Sequence, residues 1–312
     1  MEKRAEQGVT TKMSTGKEKK KIDQMKEMLL RNSRLFRCPS CEQDLVLSRS
    51  NSLYCAKGHN FDLAKQGYIN LLLKQEKGGY DKQLFAARKV ISDSGFFDPM
   101  RKAISKLILE IGRKEDWSAA NILDAGCGEG SHLAWIWQDL KAKQKGFAGL
   151  RGVGIDLSKE GIRAAAKAYP DLIWCVADLT KLPLQNEQFD LILNILSPAN
   201  YGEFKRVLKD HGVLLKILPT ANYLIELREI LFKGTDRELY ENDSVKKLFA
   251  NSFQLVKEQQ IHYKVMLKEE NLEHLIKMTP LTWNADQEKI RDIINSGLKS
   301  ITVAFDLLVG KK

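Results

Sequence analysis

The sequence predicts an α/β chain: a doubly wound, mostly parallel sheet with a small N-terminal zinc-binding domain. Three features point to it. Apolar strand-like runs alternate with helix-like stretches over residues 113–312, the pattern of a parallel sheet with helices on both faces. The stretch Asn121-Ile122-Leu123-Asp124-Ala125-Gly126-Cys127-Gly128-Glu129-Gly130 reads as a strand running into a glycine-rich turn, with a helix starting near Ser131. Cys38, Cys41, Cys55 and His59 stand at the spacing of a tetrahedral metal site. The expected division is a flexible basic leader over 1–35, a zinc-binding domain over 36–62, a connector with helices over 63–112, and the large domain over 113–312.

The chain has 312 residues, 43% of them hydrophobic, enough for one large domain and one small one. Net charge is +10, of which residues 1–37, with 11 Lys/Arg and 5 Asp/Glu, contribute +6. A polyanionic partner is consistent with that excess, although net charge says nothing about fold. Three of the five cysteines are bunched over 38–55, the pattern of a reduced metal-binding set in a cytoplasmic protein rather than a secreted disulfide frame. No apolar run approaches the length of a membrane span, and the N-terminus shows no apolar signal region.

Residues 1–20 are polar, with Gly8, Gly16 and the basic cluster Lys17 to Lys21, and read as a solvated tail. Met13 and Met25 offer alternative starts. Ile22, Met25, Met28 and Leu29 have helical spacing, which predicts a short amphipathic helix. The metal pattern follows as C-x2-C-x13-C-x3-H, with a small hairpin expected between its halves and Gly58 relaxing the second knuckle. A site closed by four protein ligands is structural and has no open position for chemistry. In the connector, Gly67, Gly78 and Gly79 punctuate the chain, while Tyr68, Ile69 and Leu71 to Leu73 are expected to dock on a neighbour. Helices are expected from Leu84 to Ile91 and around Ile104 to Ile111, the second capped by Gly112.

In the large domain, Gly126, Gly128 and Gly130 let the backbone turn tightly and approach a ligand. Asp124 precedes them, with Glu129 and Ser131 in and just after the turn. A second strand, Gly152 to Ile155, ends in Asp156, where a carboxylate suits a ribose diol. Ser158 caps a helix through Ala168. Leu172 to Val176 is a third strand leading to Asp178, placed to reach an adenine amino group. Phe189 to Leu193 is a fourth, followed by Asn194 to Pro198. A helix from Glu203 to Leu208, a turn over Lys209 to Gly212 and a strand from Val213 to Leu218 complete the pattern. The glycine turn, Asp156, Asp178 and Asn194 all fall at carboxyl ends of strands, where ligands gather in such sheets. Beyond them, helices are expected over 222–233 and 245–250, with strands over Gln254 to Tyr263 and Thr302 to Leu308.

Strand, glycine turn, helix, strand and acid together resemble the cofactor site of class I S-adenosylmethionine methyltransferases. The fusion of that core to a zinc knuckle resembles the 23S ribosomal RNA guanine-N1 methyltransferases, whose Gram-positive branch includes macrolide-resistance enzymes. The resemblance covers residues 36–309. It rests on Phe36-x-Cys38-Pro39-x-Cys41, on Cys55-x-x-x-His59-x-Phe61-Asp62-x-Ala64-Lys65-x-Gly67-Tyr68-x-Asn70-Leu71, on Ala87-Arg88, on the glycine turn, on Gly154-x-Asp156-x-Ser158-Lys159, on Ala164-Ala165-Ala166-Lys167 and on Met278-Thr279-Pro280. It implies one structural zinc on Cys38, Cys41, Cys55 and His59. It also implies S-adenosylmethionine on the glycine turn, with rings near the cofactor at Phe97 and Tyr223, where a tyrosine and a histidine are familiar. It implies a dimer that cradles 23S ribosomal RNA between subunits.

Guanine N1 carries a proton, so a base or hydrogen-bonded group must assist its removal. Asn194 and Ser197, after the fourth strand, are the candidates by position, and the general base itself is not identified. The target base must be unstacked onto an aromatic, for which Phe96, Tyr201 and Trp283 are candidates. Arg37, Arg49 and Lys57 are candidate RNA contacts. Two rival readings share parts of this pattern. One is a small-molecule methyltransferase of quinone or lipid type, against which the zinc module and the charge speak. The other is a non-catalytic zinc RNA-binding protein, against which the intact Gly126, Gly128, Gly130 and Asp156 speak.

Overall fold

A computed structural model describes residues 20–74, 82–143, 149–235 and 240–312. The start of the leader, with Gly8, Met13, Gly16 and Lys17, and Gly78 and Gly79 of the connector lie outside the described residues. Within the span read as a flexible leader, Lys21–Asn32 forms helix α1. Met25 and Leu29, one helical turn apart on its inner face, are fully buried. Three short antiparallel strands follow: β1 (Val46–Leu47), β2 (Ser52–Tyr54) and β3 (Asn60–Asp62). They form the body of the zinc module. The connector then adds a strand that sequence reasoning missed, β4 (Ile69–Asn70), which pairs in parallel with the main sheet.

Helices α2 (Lys82–Asp93) and α3 (Asp98–Lys114) lead into the large domain. Pro99 sits in the first turn of α3, where its missing N–H is harmless. Gly112, expected as a cap, lies inside α3. The helix runs on to Lys114 because Leu107, Ile108, Leu109 and Gly112 all face the core. The βα alternation follows as β5 (Ala119–Ala125), α4 (Ser131–Lys143), β6 (Gly149–Asp156), α5 (Lys159–Ala168), β7 (Ile173–Val176), β8 (Phe189–Ile195), α6 (Tyr201–Val207) and β9 (Leu208–Pro219). The expected turn over Lys209 to Gly212 is instead part of β9, whose pairing with β8 shifts register between Phe189 and Leu191. The chain closes with α7 (Ile225–Phe232), α8 (Asp243–Ser252), β10 (Gln254–Met266), α9 (Glu269–Met278), α10 (Gln287–Asn295) and β11 (Ser300–Lys311).

The eight-stranded sheet has the order β10-β11-β9-β8-β5-β6-β7-β4. From β9 through β4 all neighbours are parallel, and β11 runs antiparallel to both β9 and β10. The chain leaves β5 towards β6 and β7, then returns to its other side with β8, so the reversal of winding falls between β5 and β8. That crevice is where ligands bind in open α/β sheets. Both faces of the central strands are buried, while the edge strand β10 is mostly exposed. Ile122, Leu191, Leu193, Leu215 and Phe305 face one core, and Leu123, Ile192, Leu214 and Leu308 face the other.

The second core explains α1. No helix lies between β7 and β8, so a crossover layer is absent there. Met25, Leu29, Leu35 and Phe36 fill that space against Val153, Ile155, Ile173 and Cys175 of the sheet. Backbone bonds lock the seam: Arg37 N–H donates to Pro183 O at 3.1 Å, and Gln185 N–H to Leu35 O at 2.9 Å. Burying a side chain of this size stabilises by about 1.5–3 kcal/mol, so α1 and the zinc module are part of the core. No helix of the described residues is long and apolar enough to cross a membrane.

Candidate active site and zinc centre

The zinc centre is assembled by two tight turns. Glu42 N–H donates to Cys38 O at 2.8 Å and Gly58 N–H to Cys55 O at 2.9 Å, with Gly58 at φ +83°. The ligand atoms of Cys38, Cys41, Cys55 and His59 all lie within 4.8 Å of one another. Cys41 Sγ and Cys55 Sγ are 3.6 Å apart, and Nδ1 of His59 is 3.5 and 3.3 Å from Cys38 and Cys55. Bonds of about 2.3 Å to a tetrahedral ion place sulfurs about 3.8 Å apart, so the four groups fit zinc with His59 turned through Nδ1.

The glycine turn sits at the end of β5. Gly126, Gly128 and Gly130 have φ of +86°, +57° and +79°, conformations that side-chain-bearing residues seldom adopt. Gly126 and Cys127 N–H groups donate to Ile155 O at 2.8 and 3.0 Å, pinning the turn to β6. A β-carbon on Gly130 would lie 2.4 Å from the Trp174 ring. Asp156, at the end of β6, accepts from Gly128 N–H and Ser158 N–H, each at 2.8 Å. Burial raises its carboxyl above the ordinary range, and the two backbone donors oppose that rise.

Asp124 is 1% exposed, and its Oδ1 has no hydrogen-bond partner among the described residues. Burial, helped by the charges of Asp156 and Glu129 and opposed by Arg88, pushes its carboxyl up to about 8. Glu129, also buried, accepts from the Ser131 hydroxyl at 2.5 Å and pairs through Oε2 with Arg88 Nε at 3.1 Å. Arg88 stands in the Ala87-Arg88 pair, where its local sequence gives no sign of this role. Its guanidinium reaches across from α2, and a β-carbon on Gly128 would lie 3.3 Å from it.

Phe97 is buried, edge-on to Phe96 and to His132, each with ring centroids 4.9 Å away. Arg101, beneath them, donates through Nε to His132 Nδ1 at 3.2 Å and through Nη2 to Ser131. Burial, joined by the Arg101 and Arg88 charges, keeps the imidazole neutral. Tyr223 packs against Phe305 at 4.9 Å, and burial raises its phenol despite the opposing Arg88 charge. Asp178, half-buried after β7, accepts from Thr180 N–H at 2.8 Å.

Asn194 and Ser197 come together with a third residue, Lys216. Asn194 is fully buried, and its amide donates to Ala125 O and Pro198 O, each at 2.9 Å. Lys216 on β9 donates to Asn194 Oδ1 and, at 3.1 Å, to Ser197 O. Burial lowers its ammonium to about 8. With both ends of its amide taken, Asn194 braces the turn that follows β8. A lysine inside the apolar run Val213 to Leu218 was the signal for Lys216, since lysines seldom sit fully buried.

Other candidates fall apart. Phe96 is 1% exposed, and Tyr201 lies among Phe204, Phe249 and Phe253, so both are core residues. Trp283 is 47% exposed. Arg37 is mostly buried and paired with Glu42 at 3.2 Å, whereas Arg49 and Lys57 are exposed.

The donor set fits S-adenosylmethionine. An unpartnered buried carboxyl suits an ammonium, a guanidinium suits a carboxylate, and acids at the ends of β6 and β7 suit a ribose diol and an exocyclic amine. Fold and site together define a class I S-adenosylmethionine-dependent methyltransferase with a zinc ribbon. Family profiles agree: residues 36–79 match the family described as RlmA, N-terminal, and residues 122–212 match a methyltransferase domain. YxjB of Bacillus subtilis, provisionally named a 23S rRNA (guanine-N(1)-)-methyltransferase, is 41% identical over 89% of this chain and 97% of its own length. The 23S rRNA (guanine(748)-N(1))-methyltransferase of Streptomyces fradiae is 30% identical over 88% of this chain and 96% of its own. The chain belongs to the 23S rRNA (guanine-N1)-methyltransferase family.

Proposed function

We propose that this chain transfers a methyl group from S-adenosylmethionine to N1 of a guanine in a hairpin of 23S ribosomal RNA. One observation carries the reading. A zinc ribbon and a glycine-turn core share one hydrophobic interior, and relatives named for that reaction match this arrangement over nearly their whole length.

The cofactor supplies a methyl group already activated on a sulfonium. What the protein must add is alignment, which is proximity catalysis. In this reading Asp124 takes the ammonium of the methionine part and Arg88 its carboxylate. Asp156 takes the ribose hydroxyls and Asp178 the adenine amine. Gly126 and Gly130 let the turn pack directly against Ser197 and Trp174, which sets its backbone at the end of β5 where the cofactor lies. Phe97 and Tyr223 wall the site. Ser197 lies beside Gly126 and so edges the place where the acceptor base must enter. Lys57 and Arg49, exposed on the zinc module, contact RNA phosphates. Trp283 is the one exposed ring among the three stacking candidates. A homodimer cradling the RNA belongs to the same reading and is tested by light scattering with and without RNA.

A methyl on N1 blocks the pairing edge of guanine and stops reverse transcription. Primer extension along 23S RNA treated with protein and cofactor should therefore stop at one guanine in a hairpin. Extension without a new stop, from protein shown to bind the cofactor, contradicts the proposal.

A further inference from the structure

The turn after β8 is strained. Leu196 has φ +53°, a region that a bulky side chain enters only when its surroundings enforce it. Leu196 N–H donates to Ile217 O at 3.2 Å, the Lys216 ammonium to Ser197 O at 3.1 Å, and the Asn194 amide to Pro198 O at 2.9 Å. The Ser197 and Pro198 carbonyls are thereby held by Lys216 and Asn194. The Ser197 N–H and hydroxyl make no hydrogen bond among the described residues. The hydroxyl stands against the glycine turn, where a β-carbon on Gly126 would fall 1.8 Å from it.

Stability of the sheet does not account for Lys216. It is 2% exposed, and its neighbours across the sheet are Asn194 and Leu308. Among the described residues no carboxylate pairs with it. The nearest acid along β11, Asp306, is held by Lys246 and Asn242. An apolar side chain of similar length would pack there without the desolvation of an ammonium. What the ammonium does, and a methionine would not, is hold Asn194 and the Ser197 carbonyl.

We propose that Lys216 is a positioning residue for methyl transfer: it holds the Leu196–Pro198 turn so that Ser197 presents its N–H and hydroxyl to O6 of the acceptor guanine. The inference rests on guanine N1 being the acceptor. When N1 gives its proton to solvent water, the remaining electron pair is shared with O6, and donors fixed there stabilise that charge. N1 then bonds the methyl carbon, the carbon–sulfur pair returns to sulfur, and the base is neutral again. Ser197 touches the substrate. Lys216 acts through it.

The test uses full-length zinc-loaded protein and 23S RNA, reading kcat, KM for RNA, calorimetric Kd for S-adenosylmethionine, and thermal melting. K216M is expected to lower kcat about 100-fold while KM and Kd stay within about threefold. S197A, which should fold normally, is expected to lower kcat about tenfold without changing the melt. L196G removes the penalty of the left-handed conformation and is expected to restore about tenfold of the rate in K216M. Wild-type rates in K216M or S197A overturn the inference. So does a K216M loss carried by cofactor affinity, or one that L196G leaves untouched. Wild-type protein that forms no 1-methylguanosine overturns the guanine reading instead.

Discussion

Asp124 holds a proton at neutral pH in the free protein, because burial outweighs the Arg88 charge and lifts its carboxyl to about 8. An unfolded aspartate titrates near about 3.9. The native state therefore binds a proton that the unfolded state has lost. The stability this contributes is fully present below about pH 4 and declines as pH rises through about 8. Denaturant unfolding of the free chain should show that decline, and D124N should flatten it. Pairing Asp124 with a cofactor ammonium requires its ionisation, so binding should release a proton below about pH 8 and tighten as pH rises to that value. Calorimetry in two buffers of different ionisation heat reads the release, and equal heats would refute the pairing. Arg88 is tested alongside it. R88A should weaken S-adenosylmethionine binding about 10- to 100-fold. R88K should recover only part of that, because lysine offers a point charge instead of a fork. An R88A affinity equal to wild type would remove Arg88 from the site.

At the scale of elements, the sharpest consequence concerns α1. Met25 is fully buried in the core beneath the sheet, so M25A should destabilise the chain by about 2–5 kcal/mol, and thermal melting measures it. A shift within error would show the helix to be detachable. The same element shows what the sequence did and did not make legible. The spacing of Ile22, Met25, Met28 and Leu29 announced an amphipathic helix, but not what it covers. That depends on a helix missing between β7 and β8, far along the chain. The glycine turn and the knuckles were legible because each needs particular residue types at fixed local spacing. β4 was not, since two residues of parallel pairing with β7 have no periodicity of their own. Arg88 and Lys216 were not assigned because their roles come from partners on other elements, Glu129 for one and Asn194 and Ser197 for the other. The Gly112 and Lys209 to Gly212 expectations failed for a related reason: tertiary burial of α3 and pairing of β9 override local turn chemistry.

At the scale of the whole molecule, the zinc module closes a face of the large sheet. Phe36 and Leu53 of the module share a core with Leu123, Ile155 and Ile192 of the sheet. Removing zinc should therefore lower the melting temperature of the entire chain, rather than produce a separate low-temperature transition. A methyltransferase domain melting unchanged in chelator would contradict the shared core. The reaction itself is decided by one assay. Zinc-loaded protein is incubated with labelled S-adenosylmethionine and protein-free 23S RNA, and the labelled nucleoside is identified by mass spectrometry. The expected product is 1-methylguanosine from a single hairpin. Label in another nucleoside, or none from protein that binds both zinc and cofactor, would contradict guanine-N1 methylation by this chain.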